Sequence, residues 1–295
     1  MKYSCITIGT FDGVHIGHKE IISTTFKIAE TFGLDPVILT LSYPPKFNNF
    51  QGERYLITTE EEKLLLLNEL GARNIEILGF SKEIEEMVPD DFVTFLMQRY
   101  RAKHFVVGYN HTFGKDRRGD VAYLASATER FGITVTVVPP VIVEGEVVSS
   151  TLIRNHLTSG NIRFANKCLG RYYTLSGVVI EGAGVAKSLG FRTINLRIPE
   201  KKLVPKNGVY AVLVHLRGKN FPGACYIGES PTLGLMRQSV EVHVIDFDGE
   251  LYGDAVTISF VDFLRDDMKF SSIEELRDQI SRDVLRSKRL IAEFF

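Results

Sequence analysis

Gly9-Thr10-Phe11-Asp12-Gly13-Val14-His15-Ile16-Gly17-His18 decides how this chain reads. The stretch follows directly on an apolar run, Tyr3 to Ile8, that has the character of a buried first strand, and it leads into a helical pattern. His15 and His18, three apart, fall on the first turn of that helix. The unpaired backbone N–H groups there and the positive end of the helix dipole favour a phosphate. Imidazoles added to that spot suit polyphosphate chemistry, and Gly17 between them leaves room for a ligand to approach. A zinc pair would need further ligands at recognisable spacing, but the HExxH pattern is absent and the cysteines are scattered.

Outward from this stretch, the chain up to about residue 157 alternates short apolar runs with amphipathic segments. Runs at 4–8, 37–41, 75–78, 105–108 and 135–138 carry few charges, as strands buried on both faces do. Helical candidates lie between them at 20–32, 58–70, 90–100 and 120–131. The second is opened by a Thr58-x-x-Glu61 capping box and closed before Gly71. Such alternation predicts a parallel sheet with right-handed crossovers. No GxGxxG follows the first strand, which disfavours a NAD-type cofactor.

From about Gly170 the texture changes. Strand-like segments crowd together at 173–180, 193–198, 209–216, 223–227, 240–247 and 255–263. Phe247-Asp248-Gly249-Glu250 reads as a hairpin turn. Ser272-x-x-Glu275 announces a last helix with Ile273, Leu276, Ile280 and Val284 on one stripe. Six strands and a terminal helix predict a small closed barrel with the helix packed on it, joined to the first part by a partly helical connection.

At 295 residues, 44% hydrophobic and 24% charged, the chain is long enough for two domains with ordinary cores. A net charge of −1 without long charged blocks argues against a broad cationic face for nucleic acid. Cys5, Cys168 and Cys225 are odd in number and far apart, so they read as reduced structural thiols. No stretch approaches the roughly 20 apolar residues of a membrane span, and the amino terminus runs straight into a strand, leaving no room for a signal peptide. The expected location is the cytoplasm.

The opening string resembles the phosphate-binding signature of the HxGH nucleotidyltransferase superfamily, and in this form it is similar to its bacterial FAD synthetase branch. The resemblance to the bifunctional riboflavin kinase/FAD synthetase family covers essentially the whole chain. It implies a Rossmann-like α/β FMN adenylyltransferase domain over 1–157 and a connection over 158–169. A mainly-β riboflavin kinase domain of six strands with a C-terminal helix would fill 170–295. Two reactions are implied: riboflavin and ATP give FMN in the second domain, and FMN and ATP give FAD and pyrophosphate in the first. Mg²⁺ is the implied cofactor, with riboflavin, FMN and ATP as small-molecule partners and neither nucleic acid nor membrane.

In the first domain the resemblance makes His15 and His18 catalytic and assigns ATP contacts to Gly9, Thr10 and Phe11. Ser149-Ser150-Thr151-Leu152-Ile153-Arg154 resembles the family's SSTxIR signature, with Ser150, Thr151 and Arg154 on the outer phosphates. Asn110 fits as a nucleotide contact, although His111 stands where the family has Phe. Lys115, Arg117 and Arg118 could neutralise phosphate or form a solvated basic loop, and Pro44 occupies a place where many relatives carry a histidine.

In the second domain, residues 182–191 are similar to the family's flap over ATP, which brings in Gly182, Lys187 and Gly190. Arg192-Thr193-Ile194-Asn195 aligns with the PTAN motif, Arg192 and Ile194 being departures. Thr193 and Asn195 share a strand face and are the expected Mg²⁺ contacts. Glu241 matches the catalytic glutamate, with His243 on its face of the strand and Val240 and Val242 on the other. Arg265 occupies the position of the flavin-side flap arginine. Three rival readings remain: an adenylyltransferase whose barrel only binds flavin, another HxGH enzyme with an unrelated barrel, and a flavin-sensing or flavin-storage protein.

Overall fold

The computed structural model describes residues 2–42, 55–79, 81–181, 191, 193–232 and 235–293. The chain divides into two compact units, Met1–Ser150 and Thr151–Phe295.

The first unit is built on five parallel strands: β1 (Ser4–Gly9), β2 (Asp35–Leu41), β3 (Ile75–Leu78), β4 (Ala102–Gly108) and β7 (Thr134–Val138). They lie in the order β3-β2-β1-β4-β7, so β1 is central. Cys5 and Ile6 are accordingly shut off from water on opposite faces of that strand, in separate apolar clusters. The crossovers carry α1 (Ile16–Phe32), α2 (Glu60–Glu69), α3 (Lys82–Glu86), α4 (Pro89–Tyr100) and α5 (Val121–Phe131). Two small ribbons, β5 (Thr112–Phe113) with β6 (Gly119–Asp120) and β8 (Ile142–Val143) with β9 (Glu146–Val147), complete the unit.

Two helix starts differ from expectation. The first helix opens at Ile16 rather than residue 20, because His15 is itself the cap. The capping box of α2 is Thr59 with Glu62, one residue later than Thr58 with Glu61. The reason for the shift is local: the Thr58 hydroxyl is already engaged by Asp12 and Gly13.

In the second unit α6 (Ser150–Ser159, its first residue shared with the boundary) and α7 (Ile162–Leu169) lead into six antiparallel strands. These are β10 (Tyr173–Ile180), β11 (Thr193–Arg197), β12 (Gly208–Leu216), β13 (Lys219–Thr232), β14 (Leu235–Val244) and β15 (Ala255–Arg265). They close in the order β10-β11-β14-β13-β12-β15. The hairpin expected at Phe247–Glu250 is not there. β14 ends at Val244, and β15 pairs with β10 and β12 rather than with β14. Phe247 instead sets its ring edge-on against Phe221, at 5.3 Å between centroids.

The last helix, α8 (Ile273–Ala292), has the expected Ser272 cap, accepting from the Glu275 N–H. Its apolar stripe needs correction: Ile273 is 65% exposed, whereas Asp283, Ser287 and Ile291 are buried. The buried polar pair is accounted for by partners. Asp283 takes the Arg265 guanidinium, and Ser287 donates to the Gly223 carbonyl.

Candidate active sites

Between β1 and α1 the backbone enters the left-handed region at Phe11 (φ 48°), Gly13 (φ 84°) and Val14 (φ 38°). Glycine adopts this readily; phenylalanine and valine do so only where surrounding structure holds them. Here the side chains of both are buried in one apolar cluster. Asp12 adds the polar anchor: its carboxylate accepts from the N–H groups of Ile57 (3.3 Å) and Thr58 (3.0 Å) and from the Thr58 hydroxyl (3.2 Å). The Gly13 N–H donates to that same hydroxyl at 3.0 Å.

Lys63 anchors the other side. Its Nζ donates to the carbonyls of Thr10 and Leu41, each at 3.3 Å, and the side chain is wholly buried. Burial pulls its ammonium below the usual lysine range, opposed by the nearby carboxylates of Glu60 and Asp12.

This turn delivers the two histidines. His15 caps α1, its Nδ1 accepting from the His18 N–H at 3.3 Å, which leaves Nε2 as the nitrogen that carries the proton in the neutral ring. The imidazoles stack at 3.5 Å between centroids and 18° between planes, and Phe11 meets His18 edge-on at 5.2 Å. A Cβ on Gly17 would press on the His15 ring at 3.2 Å, so the glycine makes room for the neighbouring imidazole as well as for any ligand.

Both rings line a cleft of about 690 Å³ beside the C-terminal ends of β1 and β4. Gly9, Thr10, Phe11, Asn110, Arg117 and Ser150 line it too, so eight of the expected positions of the first domain meet in one place. Ser150, the last residue of the first unit, donates its hydroxyl to the Asp12 carbonyl at 2.9 Å. Thr151 and Arg154 follow on α6, the first exposed and the second buried. His111, on the cleft wall, stacks on Phe113 at 5.8 Å, and Phe113 stacks in turn on Phe92 at 5.6 Å. Burial holds the His111 imidazole down at about 4, neutral at physiological pH. Lys115 is paired with Glu86 and Arg118 with Asp116, while the exposed Arg117 lines the cleft.

In the barrel, Glu241 on β14 stands in register with Asn195 on β11 and with Tyr226 on β13. One step along, His243 is opposite Thr193. Directly opposed residues share a face, so Thr193, Asn195, Tyr226, Glu241 and His243 form one polar patch, while Val240 and Val242 are buried behind it. Burial pushes the Glu241 carboxyl above its usual range. Burial, with the Asp267 carboxylate nearby, pushes the Tyr226 phenol up to about 12. A Cβ on Gly228 would overlap that phenol oxygen, so the ring lies where only glycine leaves space.

Arg265 is anchored within its own unit. It grips Asp283 of α8, with Nη2 at 2.8 Å and Nε at 2.9 Å, and Gln279 supports the same carboxylate at 2.9 Å. Gly182, Lys187, Gly190 and Arg192, together with Pro44, lie outside the described residues. Sequence reasoning gave no site role to Asp12, Lys63, Tyr226 or Asp283 and read Thr58 only as a helix cap. Only Lys63 left a trace: it sits four residues before Leu67 on the buried face of α2, where an apolar residue belongs.

Comparison with known proteins divides the chain in a similar way. A family model described as FAD synthetase matches residues 1–152, and one described as riboflavin kinase matches residues 169–291. A bifunctional riboflavin kinase/FMN adenylyltransferase of Listeria monocytogenes is 32% identical, over 98% of this chain and 92% of its own length. Its namesakes in Bacillus subtilis and Escherichia coli K12 are also 32% identical, over 95% and 98% of this chain and 90% and 92% of theirs. A solved structure from Streptococcus pneumoniae, described as a macrolide-efflux protein, superposes with a TM-score of 0.88 at 29% identity, covering 97% of this chain and 94% of that one. Among the described residues here, no helix is long and apolar enough to cross a membrane.

Proposed function

The chain belongs to the family of bifunctional riboflavin kinase/FMN adenylyltransferases, and on that premise we propose how its residues divide the two reactions. In the first, a phosphate oxygen of FMN attacks the α-phosphorus of ATP. The α–β P–O bond breaks, pyrophosphate leaves and FAD is formed. His15 and His18, with the N–H groups at the start of α1, stabilise charge on the phosphate under attack. Gly9, Thr10 and Phe11 shape the nucleotide seat, Asn110 and Arg117 contact the nucleotide from the far wall, and Ser150, Thr151 and Arg154 serve the leaving phosphates. The observation that carries this reading is the stacked imidazole pair at a helix N-terminus on a cleft wall.

In the second reaction the Glu241 carboxylate takes the proton of the riboflavin primary hydroxyl as its oxygen attacks the γ-phosphorus, giving FMN and ADP. Its raised proton affinity suits a base. Mg²⁺ is the cofactor we assign. The Thr193 hydroxyl and the Asn195 amide oxygen share one barrel face beside Glu241, hard donors of the kind magnesium takes alongside phosphates. When bound, the ion neutralises charge on the phosphate chain. Gly182, Lys187 and Gly190 belong to the nucleotide flap and Arg265 to the flavin side by resemblance alone. Three buried cysteines, none of them in a disulfide, are in keeping with a cytoplasmic location.

Chromatography of products from riboflavin and Mg·ATP tests the scheme in the full chain. Wild-type protein should give FMN and then FAD. His15→Ala and His18→Ala should accumulate FMN, with FAD formation down roughly 10²-fold or more. Glu241→Gln should make no FMN yet convert supplied FMN to FAD. Unchanged FAD formation in both histidine variants would remove the first assignment, and normal FMN formation in Glu241→Gln the second.

A further inference from the structure

Lys63 is fully buried, and among the described residues that line the cleft it is not one. Thr10 and Leu41, whose carbonyls it holds, both are. Its ammonium therefore stands behind the cleft wall and joins the ends of two neighbouring strands, β1 and β2. We propose that Lys63 is a positioning residue for adenylyl transfer, fixing the strained turn that presents His15 and His18.

The mechanical reasoning starts from the peptide plane. A trans peptide sends its C=O and the following N–H in opposite directions. Holding the Thr10 carbonyl toward Lys63 therefore aims the Phe11 N–H the other way, and Phe11 is the residue at which the backbone turns left-handed. Thr40 supports the grip, its hydroxyl donating to the same carbonyl at 3.4 Å. Asp12 anchors the same turn through its carboxylate, which accepts from the Ile57 and Thr58 N–H groups and the Thr58 hydroxyl, and the Gly13 N–H donates to that hydroxyl. Four residues carry the chain from Phe11 to His15, so rotation of the Thr10–Phe11 peptide displaces the imidazoles directly. Leu or Met would serve better if apolar packing were all that this position of α2 required; the grip on two carbonyls needs a donor. A buried lysine is retained here because it acts on the turn.

The role assigned to Lys63 rests on the reading of His15 and His18 given above, and the experiment separates the two. FAD formation from FMN and ATP is measured for the full-length wild type, Lys63→Met, Lys63→Arg and Thr40→Val, with the histidine variants alongside. Riboflavin phosphorylation in each preparation is the internal control. Lys63→Met should lose about 10²-fold in kcat for FAD formation, the scale of a misplaced catalytic group. The loss should fall mainly on kcat, with KM for ATP rising by a smaller factor because the Thr10–Phe11 peptide also shapes the nucleotide seat, and kinase activity should stay unchanged. Lys63→Arg, which still offers donors, should recover at least about tenfold of that loss, and Thr40→Val should show a smaller fall in kcat.

A purely structural role would lower activity only through the fraction folded. The loss should therefore persist at low temperature, where the thermal transition shows each variant folded. Overturning results are a kcat within threefold of wild type, a change confined to KM, or a deficit that disappears on cooling. If Lys63→Met does not fold, unaltered kcat in both Lys63→Arg and Thr40→Val overturns the proposal. Full FAD formation by the histidine variants would instead strike the reading on which it rests.

Discussion

A carboxylate partly withdrawn from water keeps its proton to higher pH, and Glu241 is such a group. Two consequences follow. On the role proposed for it, riboflavin phosphorylation needs the ionised form, so as pH is lowered kcat/KM should fall with a midpoint above 4.5, the ordinary glutamate value. Folding has the opposite preference. With the folded pKa above the unfolded one, the native state binds more protons between the two, so stability drops as pH rises through that window and stays lower beyond it. Glu241→Gln should therefore be inactive as a kinase yet melt no lower than wild type at pH 7, as differential scanning calorimetry can check. Where chemistry leaves a local pattern, the sequence places residues together as the structure does: His15, Gly17 and His18 meet at the start of α1. It stops short where the partner is remote: nothing local to Arg265 signals its ion pair with Asp283, and the helical place of Lys63 does not say which two carbonyls it holds.

Elements were readable where their own backbone needs dictate the residues. The strand at 75–78 lies where its apolar run puts it, and Asp120 and Ser272 cap α5 and α8 as their positions suggest. The capping box of α2 slipped by one residue because Thr58 and Thr59 are interchangeable locally and Asp12, 46 positions away, chose between them. The hairpin signal at Phe247–Glu250 failed for a related reason, since closure of the barrel decides which strands are neighbours. Helix α8 is held by polar groups that an apolar stripe does not reveal. Asp283→Ala would strand the Arg265 guanidinium, which is only 17% exposed, and should cost about 3 kcal/mol of stability in the second unit. Replacing both partners with leucine should recover most of that loss, and a double-mutant cycle of thermal midpoints measures the coupling.

At the level of the whole chain, the change from strand–helix alternation to crowded strands was visible because parallel and antiparallel sheets bury different patterns. The closed order of the barrel was not, because pairing across it is long-range: β10 meets β15 at positions some 80 residues apart. The three buried cysteines offer a way to watch these units separately. Cys5 belongs to one, with its thiol pushed up to about 12 by burial, and Cys168 and Cys225 belong to the other. A thiol kept from water and held protonated reacts with disulfide dyes only when its surroundings open. Labelling should thus be silent in native enzyme. In graded urea it should proceed as a single-thiol and a two-thiol phase, with saturating riboflavin slowing only the second. Mass spectrometry of the labelled peptides would then time the opening of each catalytic half without any reporter having been engineered in.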